Sequence, residues 1–157
     1  SDAGRVDYEG ELGVVIGARA HRVTAGKAGH YILGLTCLND VTARDLQRRD
    51  VQFTRAKGFD SFSPIGPSIA IGVAADSLDI ETWVNDQQRQ DSNTRELIFG
   101  VPKLVEFVSS VMTLLPGDVI STGTPSGVGS LSPGDRVVVK VAGVGELVND
   151  VVAEDPR

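Results

Sequence analysis

The sequence predicts an α+β domain that is predominantly β, with few helices and a strongly curved sheet. Strands are predicted for six segments that are rich in Val and Ile and bounded by turn residues, namely residues 12–16, 69–73, 80–84, 119–121, 136–141 and 146–152. Glycines scattered at strand ends and turns are typical of strong sheet curvature. No linker or low-complexity segment divides residues 1–157, so a single domain is expected.

Two acidic residues at alternate positions, Glu9 and Glu11, open the β-type apolar run of residues 8–17, which contains the first predicted strand. Side chains two apart on a strand share one face, so the two carboxylates are expected to converge. Carboxylates that close repel each other unless a cation lies between them, and a hard divalent ion is the usual partner. The pair predicts half of a metal site; the alternative is a solvated strand edge where both side chains face water.

A third carboxylate comes from the stretch that begins at Asn39. Thr42 and Asp45 match a capping box, which predicts a helix that begins at Thr42. Asp40 then lies in the preceding turn, where its side chain is not used as the cap. It is therefore a candidate third oxygen ligand.

Inside that predicted helix, Arg44 and Gln47 are three residues apart and are expected on one face. They would present a guanidinium fork and an amide to the same space. The alternatives are an ion pair of Arg44 with Asp45 or Asp50, and a Gln47 side chain that only meets water.

A long helix is predicted to begin near Pro102, a residue suited to the first helical turn. Apolar residues recur at helical spacing and are expected to cover the sheet rather than bind a cofactor or partner; they are Leu104, Val105, Phe107, Val108, Val111 and Met112. Two Pro-Gly pairs, in residues 115–118 and 132–135, predict two β-turns at the same sheet edge.

Residues 122–129 form a glycine-rich loop directly after a predicted strand. Such a loop exposes backbone N–H groups that can hold an anion. It lacks the Gly-Lys-Ser/Thr ending of a nucleotide loop, so a carboxylate or enolate is the expected anion.

Lys57 lies between aromatic residues, with Phe53 before it and Phe59 after it. Burial would lower the pKa of its amine, while nearby carboxylates would raise it, and the sequence leaves both outcomes open. A plain surface lysine is the alternative. The aromatic setting favours a side chain that holds a substrate carboxylate or oxyanion.

The composition excludes several classes of protein. The net charge of −6 and the sequence pI of 4.8 argue against nucleic acid or an anionic membrane as partner. Cys37 is the only cysteine, so no intrachain disulfide is possible, and its apolar neighbours favour a buried structural thiol. The sequence has no apolar stretch of membrane-spanning length and no signal peptide pattern, so a cytoplasmic location is expected.

Four motifs occur in an order that resembles the fumarylacetoacetate hydrolase family, in its C-terminal catalytic domain. The motifs are Glu9-Gly10-Glu11-Leu12, Asn39-Asp40-Val41-Thr42-Ala43-Arg44-Asp45-Leu46-Gln47, Ala56-Lys57-Gly58-Phe59-Asp60 and Thr122-Gly123-Thr124-Pro125-Ser126-Gly127-Val128-Gly129. The resemblance runs over nearly the whole chain and implies a mixed sheet roll and a homodimer. It also implies a role in the catabolism of aromatic compounds.

The resemblance further implies which residues form the site. Glu9, Glu11 and Asp40 would bind Mg²⁺ or Mn²⁺, and all-oxygen ligation suits these ions. Lys57 would be catalytic. The substrate, a small α-keto acid or dicarboxylate, would contact three further side chains, those of Arg44, Gln47 and Thr124.

Members of the family also carry a lid segment with a His and a Glu, upstream of the motif at Glu9. The lid is expected to be absent from this chain, which begins too late to contain it. Neither His21 nor His30 stands in a matching context, so neither is assigned to that pair.

These features predict a metal-dependent enzyme that hydrolyses a C–C bond in an acylpyruvate-type acid through a stabilised enolate. Decarboxylation of oxaloacetate and isomerisation of an unsaturated keto diacid pass through the same enolate, and the motifs do not separate the three reactions. A non-catalytic metal-binding or scaffold domain is the alternative from a different class. Lys57, Gln47 and Thr124 favour the enzyme, because a structural metal site does not need polar groups around an open coordination position.

Overall fold

The computed structural model describes residues 3–153 of the chain. Within these residues the strands are β1 (Val6–Tyr8), β2 (Gly10–Ile16), β3 (Ile32–Asn39), β4 (Thr42–Ala43), β5 (Ile65–Ala70), β6 (Asp79–Val84), β7 (Gln87–Asn93), β8 (Val119–Ser121), β9 (Gly129–Ser130), β10 (Arg136–Val141) and β11 (Gly145–Asp150). The α-helices are α1 (Arg44–Arg49), α2 (Thr54–Lys57) and α3 (Val101–Val111), and 3₁₀ helices span Ala25–Tyr31 and Thr94–Glu96. None of the helices in this part of the chain has the length and apolar character to span a membrane.

The strands form three sheets, with the orders β5-β3-β2-β8, β11-β10-β6-β7 and β4-β1-β9. The predominantly β class with few helices is confirmed. Every strand pairing between residues 3 and 153 is antiparallel, so the expected mixed sheet is wrong. Parallel neighbours need long crossover connections, whereas hairpins such as β6–β7 and β10–β11 reverse the chain within a few residues. The strong curvature of the sheet stays a prediction.

The two four-stranded sheets and α3 share one apolar core. Its buried members include Leu12 and Val14 from β2, Val139 from β10 and Val105 from α3. The predicted long helix is confirmed, with Pro102 in its first turn. Its apolar stripe covers the core only in part, because three of its predicted members are more than half exposed, namely Phe107, Val111 and Met112.

Five of the six predicted strands are present, and the sixth is displaced. Residues 69–73 were expected to be a strand, but β5 ends at Ala70 and begins at Ile65. Strand β7 was missed because its sequence, Gln-Gln-Arg-Gln-Asp-Ser-Asn, has no apolar alternation. Pairing with β6 across the turn at Asn85 and Asp86, both with positive φ, places it in the sheet.

Two local predictions about turns and caps need correction. Both Pro-Gly turns form. The N–H of Asp118 donates to the carbonyl of Leu115, and the N–H of Asp135 donates to the carbonyl of Ser132, each at 3.0 Å. They precede β8 and β10, which lie in different sheets, so the shared sheet edge is wrong. The capping box is also wrong: helix α1 begins at Arg44, and the hydroxyl of Thr42 instead donates to the carbonyl of Asp40 at 2.8 Å.

Cys37 is a buried structural thiol, as predicted. Its Sγ donates to the carbonyl oxygen of Gly145 at 3.2 Å, and its side chain packs in the main core. Burial raises the pKa of the thiol to about 11, which keeps it protonated at neutral pH.

Candidate metal and substrate site

Three carboxylates converge where β1, β2 and β3 meet. One oxygen from each of Glu9, Glu11 and Asp40 lies within 4.8 Å of the other two. Glu9 directly precedes β2, and the N–H of Asp40, just after β3, donates to the Glu9 carbonyl at 2.8 Å. Glu9 and Glu11 are both buried, so the alternative of a solvated strand edge is wrong.

Glu11 is only 3% exposed and is held by the last residue of β8 and the segment that follows it. The hydroxyl of Ser121 and the N–H of Gly123, the latter at 2.8 Å, both donate to its Oε2. Burial is the main reason that the pKa of Glu11 is raised. The two hydrogen bonds lower this pKa, whereas the negative charges of Asp40 and Glu9 raise it further. A cation at the cluster would therefore stabilise the ionised form.

The glycine-rich loop does hold a carboxylate, but the carboxylate belongs to the chain itself. The N–H of Gly123 points at Glu11 rather than at open solvent. Tyr8 donates its hydroxyl to the carbonyl of Gly127 at 2.7 Å, and Thr122 donates to that of Leu12 at 2.8 Å. The loop is thus fastened along its length to the strands that carry the acidic residues.

Lys57 ends helix α2 with its ammonium on the acidic cluster. Its Nζ donates to Glu9 Oε2 at 3.1 Å, to Thr42 Oγ1 at 3.0 Å and to the carboxylate of Asp40. Burial is the largest single influence and lowers the pKa of the amine, but the bonds and charges of Asp40 and Glu9 together outweigh it, so the pKa of Lys57 is raised. The contacts decide what the sequence left open.

Arg44 and Gln47 share one face of α1, as predicted, and the Nη1 of Arg44 donates to Gln47 Oε1 at 2.9 Å. Neither Asp45 nor Asp50 is its ion partner. Asp45 accepts from Arg48, and Asp50 accepts from Arg55. Arg44 instead contacts Asp7 on β1 and Glu9 of the acidic cluster.

Asp7 is the partner of Arg44 that sequence reasoning missed. It is 1% exposed and accepts from Arg44 Nε at 2.9 Å and from Arg5 Nε at 2.7 Å, while Arg44 Nη2 lies 2.5 Å from Glu9 Oε1. Burial, the largest influence, raises the pKa of Asp7, but the two arginines together lower it below its usual value. Asp7, Glu9 and Glu11 occupy alternate positions, a signal that was present in the sequence.

Thr124 is bound to backbone and side chain rather than left open. Its hydroxyl donates to the Gly10 carbonyl at 2.9 Å and accepts from Gln90 Nε2 at 2.8 Å. It also lines a cavity of about 460 Å³, whose other walls come from Leu12, Ile80, Leu104 and residues 92–94, 96–99, 122–123 and 125–126. That cavity meets β2 at Leu12, which points away from the acidic face that carries Glu11.

The two histidines lie at other places in the structure. His21 is exposed and its Nδ1 lies 3.3 Å from the hydroxyl of Thr113. His30 is exposed near the end of the first 3₁₀ helix. Both stay unassigned to catalysis.

Comparison with known protein families identifies the family of this chain. The model of the fumarylacetoacetate (FAA) hydrolase C-terminal family matches residues 1–152. The chain belongs to this family. Members of the family generally depend on a divalent metal ion, and three carboxylates with converging oxygens are a donor set that fits such an ion.

Three relatives of this fumarylacetoacetate hydrolase domain carry names of enzymes. A crystal structure of 5-carboxymethyl-2-hydroxymuconate delta-isomerase from Mycobacterium smegmatis is 50% identical with a TM-score of 0.96, and the match covers 99% of this chain and 62% of that one. Oxaloacetate tautomerase YisK of Bacillus subtilis is 40% identical over 157 residues, 94% of this chain and 52% of that protein. Maleylpyruvate hydrolase from Sphingobium is 38% identical with a TM-score of 0.87, covering 94% and 56%. The chain thus spans little more than half the length of these relatives.

Proposed function

We propose that this chain is the catalytic domain of an enzyme that uses Mg²⁺ or Mn²⁺ to act on a small α-keto acid or dicarboxylate. The observation that carries the proposal is the cluster of Glu9, Glu11 and Asp40, with one oxygen of each within 4.8 Å of the others. Burial of these acidic groups costs free energy that a bound cation would offset. We assign the three side chains as the metal ligands.

The bound ion would supply positive charge to offset the negative charge that develops as the keto acid becomes an enolate. Lys57 lies where it can hold a substrate carboxylate or carry a proton to or from the reacting carbon. Its three oxygen partners fix its ammonium at the cluster. We assign it as the catalytic residue.

Arg44 and Gln47 are assigned to substrate binding. The Nη1 bond between them aligns a guanidinium with an amide beside Glu9, and Asp7 holds the Nε edge of Arg44 from behind. A planar guanidinium recognises a carboxylate through paired hydrogen bonds. Thr124, within the glycine-rich loop, is the third substrate contact that we assign.

The proposed reaction is hydrolysis of an acylpyruvate-type acid. Water oxygen bonds to the acyl carbonyl carbon and the water gives up one proton. The bond from that carbon to the methylene carbon breaks, its electron pair stays with the methylene carbon of the pyruvate enolate, and that carbon takes up one proton, so the products are a carboxylic acid and pyruvate. The kinship with a maleylpyruvate hydrolase supports this reaction. The relatives named as an isomerase and an oxaloacetate tautomerase support a second candidate, isomerisation, tautomerisation or decarboxylation through the same enolate.

Turnover of an acylpyruvate and of oxaloacetate with Mn²⁺ present tests the proposal, with Lys57→Met as the decisive variant. Lys57→Met should lower turnover of the true substrate by about 10²-fold, because it removes the ammonium and keeps the apolar stem. Lys27→Met removes an exposed ammonium and should leave turnover unchanged. Equal turnover by wild type and Lys57→Met would refute the catalytic assignment of Lys57. No turnover by wild type would leave the scaffold alternative.

The metal assignment has its own test. Calorimetric titration of Mn²⁺ into wild type and into Glu11→Ala should give much weaker binding for the variant, because it removes one of three carboxylate ligands. Equal affinities would refute the assignment.

The proposal also includes a single catalytic domain over residues 1–157, a homodimer and a cytoplasmic location. Light scattering of the purified protein tests the dimer.

A further inference from the structure

Gln90 is a buried amide on a strand that is otherwise largely exposed. Strand β7 is polar throughout, yet Gln90 is 1% exposed and points into the molecule, while Gln88 and Arg89 beside it are exposed. Burying an amide costs free energy unless its hydrogen bonds are made. The partners of Gln90 therefore indicate what its side chain does.

The three partners of Gln90 belong to the acidic strand and the glycine-rich loop. Its Oε1 accepts from the N–H of Gly10 at 3.0 Å, and its Nε2 donates to Thr124 Oγ1 at 2.8 Å and to the Pro125 carbonyl at 2.9 Å. The partners allow one orientation of the amide, because Gly10 offers a donor and Pro125 an acceptor. Gln90 thus joins residues that lie 80 and 34 positions away in sequence.

The hydrogen bonds around Gly10 close into a ring. The Gly10 N–H donates to Gln90, Gln90 donates to Thr124, and Thr124 Oγ1 donates back to the carbonyl of Gly10 at 2.9 Å. Both polar groups of this residue are therefore satisfied by one closed set of side chains. Gly10 lies between Glu9 and Glu11, so the ring fixes the backbone from which both carboxylates project.

Close packing leaves Gly10 no freedom to shift within this ring. A Cβ at Gly10 would lie 1.9 Å from Thr82 Oγ1 and 3.1 Å from Gln90 Oε1. Thr82 is the cross-strand partner of Gln90, so β6 and β7 together press on the start of β2. Only a residue without a side chain allows the strands to approach this closely.

We infer that Gln90 is a positioning residue, which sets the relative placement of the two glutamates and of the Thr124 hydroxyl. The inference rests on the proposed function, since it assumes that the glutamates hold a metal ion and that Thr124 meets the substrate. Residues that orient the ligands of a metal typically change its affinity by about 10–100-fold when they are replaced. Gln90 acts at the backbone of the ligands instead of at their side chains.

Gln90→Met tests the inference, because it keeps the length of the side chain and removes all three hydrogen bonds. Calorimetric titration with Mn²⁺ should give a dissociation constant at least about tenfold above that of wild type. Ser109→Ala is the matched control: Ser109 is fully buried, accepts from the N–H of Val23 at 3.0 Å and lies on α3. It should lose stability with little change in Mn²⁺ affinity, and equal affinities for the two variants would overturn the inference.

Amide hydrogen exchange in the metal-free protein supplies a second readout. In Gln90→Met the N–H groups of Gly10 and Gly123 should exchange at least about tenfold faster relative to the rest of β2, whereas in Ser109→Ala they should follow the global stability. Unchanged protection at Gly10 and Gly123 would overturn the inference. If wild type binds no Mn²⁺, the proposed function fails, and the exchange measurement alone decides whether Gln90 positions this backbone.

Discussion

Replacement of Asp7 by Asn should weaken the ion pair that holds the Arg44 side chain against β1. Asp7 is 1% exposed, and its Oδ2 accepts from Arg44 Nε at 2.9 Å, so the bond is formed out of water. An asparagine keeps one acceptor oxygen but turns an N–H₂ group toward a guanidinium, so it can satisfy only one of the two arginines that Asp7 binds. The Arg44 side chain, 15% exposed, would then keep a charge with fewer partners.

The magnitude follows from the burial of this pair. A hydrogen bond to a charged group contributes about 1.5–3 kcal/mol, and breaking a buried pair costs about 3–5 kcal/mol. Because Asn retains part of the bonding, we expect Asp7→Asn to lower the free energy of unfolding by about 2–3 kcal/mol at pH 7, or roughly 1 M in urea midpoint. Arg5→Gln, which removes the exposed partner of Asp7, should cost clearly less.

The pH dependence of this loss tests its cause. The pKa of Asp7 is lowered in the folded state, so its ionisation stabilises the protein above the unfolded value of 3.8, and that contribution is lost as pH falls through the folded pKa. The difference between wild type and Asp7→Asn should therefore be constant from pH 7 to about 5 and shrink only below about 4. Urea unfolding with chelator at each pH measures it. A loss under about 1 kcal/mol at pH 7, or one that grows toward low pH, would refute the reasoning.

Three further outcomes are expected. Burial raises the pKa of the Cys37 thiol from 9.0 to about 11, so at pH 8 the native protein should contain roughly 100-fold less Cys37 thiolate than the urea-unfolded protein. A thiol reagent should therefore react with Cys37 much more slowly in the native protein, and similar reaction rates in the two states would contradict this. Glu11→Gln should stabilise the metal-free protein at pH 7, because the folded-state pKa of Glu11 is raised and the ionised carboxylate therefore costs stability. The gain in free energy of unfolding, measured with urea, should shrink as pH falls toward 4.5. A gain that does not change with pH would count against this explanation. Gly127→Ala should cost more than about 2 kcal/mol, since its φ is +104° and a Cβ would lie 2.1 Å from the Arg89 carbonyl oxygen. Gly134→Ala, with φ +95° and no atom within 4 Å, should lose clearly less in the same urea assay.

Local patterns predicted much of the fold because they depend on neighbours in sequence. Segments rich in Val and Ile and bounded by turn residues predicted β2, β6, β8, β10 and β11, and helical spacing predicted α3. Strand β7 carries no such pattern, since its residues face mostly solvent and its place comes from pairing with β6. The capping box failed for a similar reason: Thr42 meets Lys57 and the Asp40 carbonyl, and these contacts outcompete a local cap.

The sequence by itself determined the chemistry of the candidate site. Glu9 and Glu11 are two positions apart at the start of an extended run, which predicts that their carboxylates share one face, and the motif around Asp40 supplied the third carboxylate. Arg44 and Gln47 had to share a face because they are three apart on a helix. Each of these relations spans a few residues, where backbone geometry alone sets the spacing.

Tertiary structure alone decided how those groups are held and charged. The raised pKa of Lys57 depends on how burial balances against two carboxylates 17 and 48 residues away, and the ring through Gln90 closes over 80 residues. Such balances depend on distances and burial that only packing of distant segments creates. Asp7 shows the same limit, because its alternate position was visible in the sequence, whereas its pairing with Arg44 appears only when β1 lies beside β4.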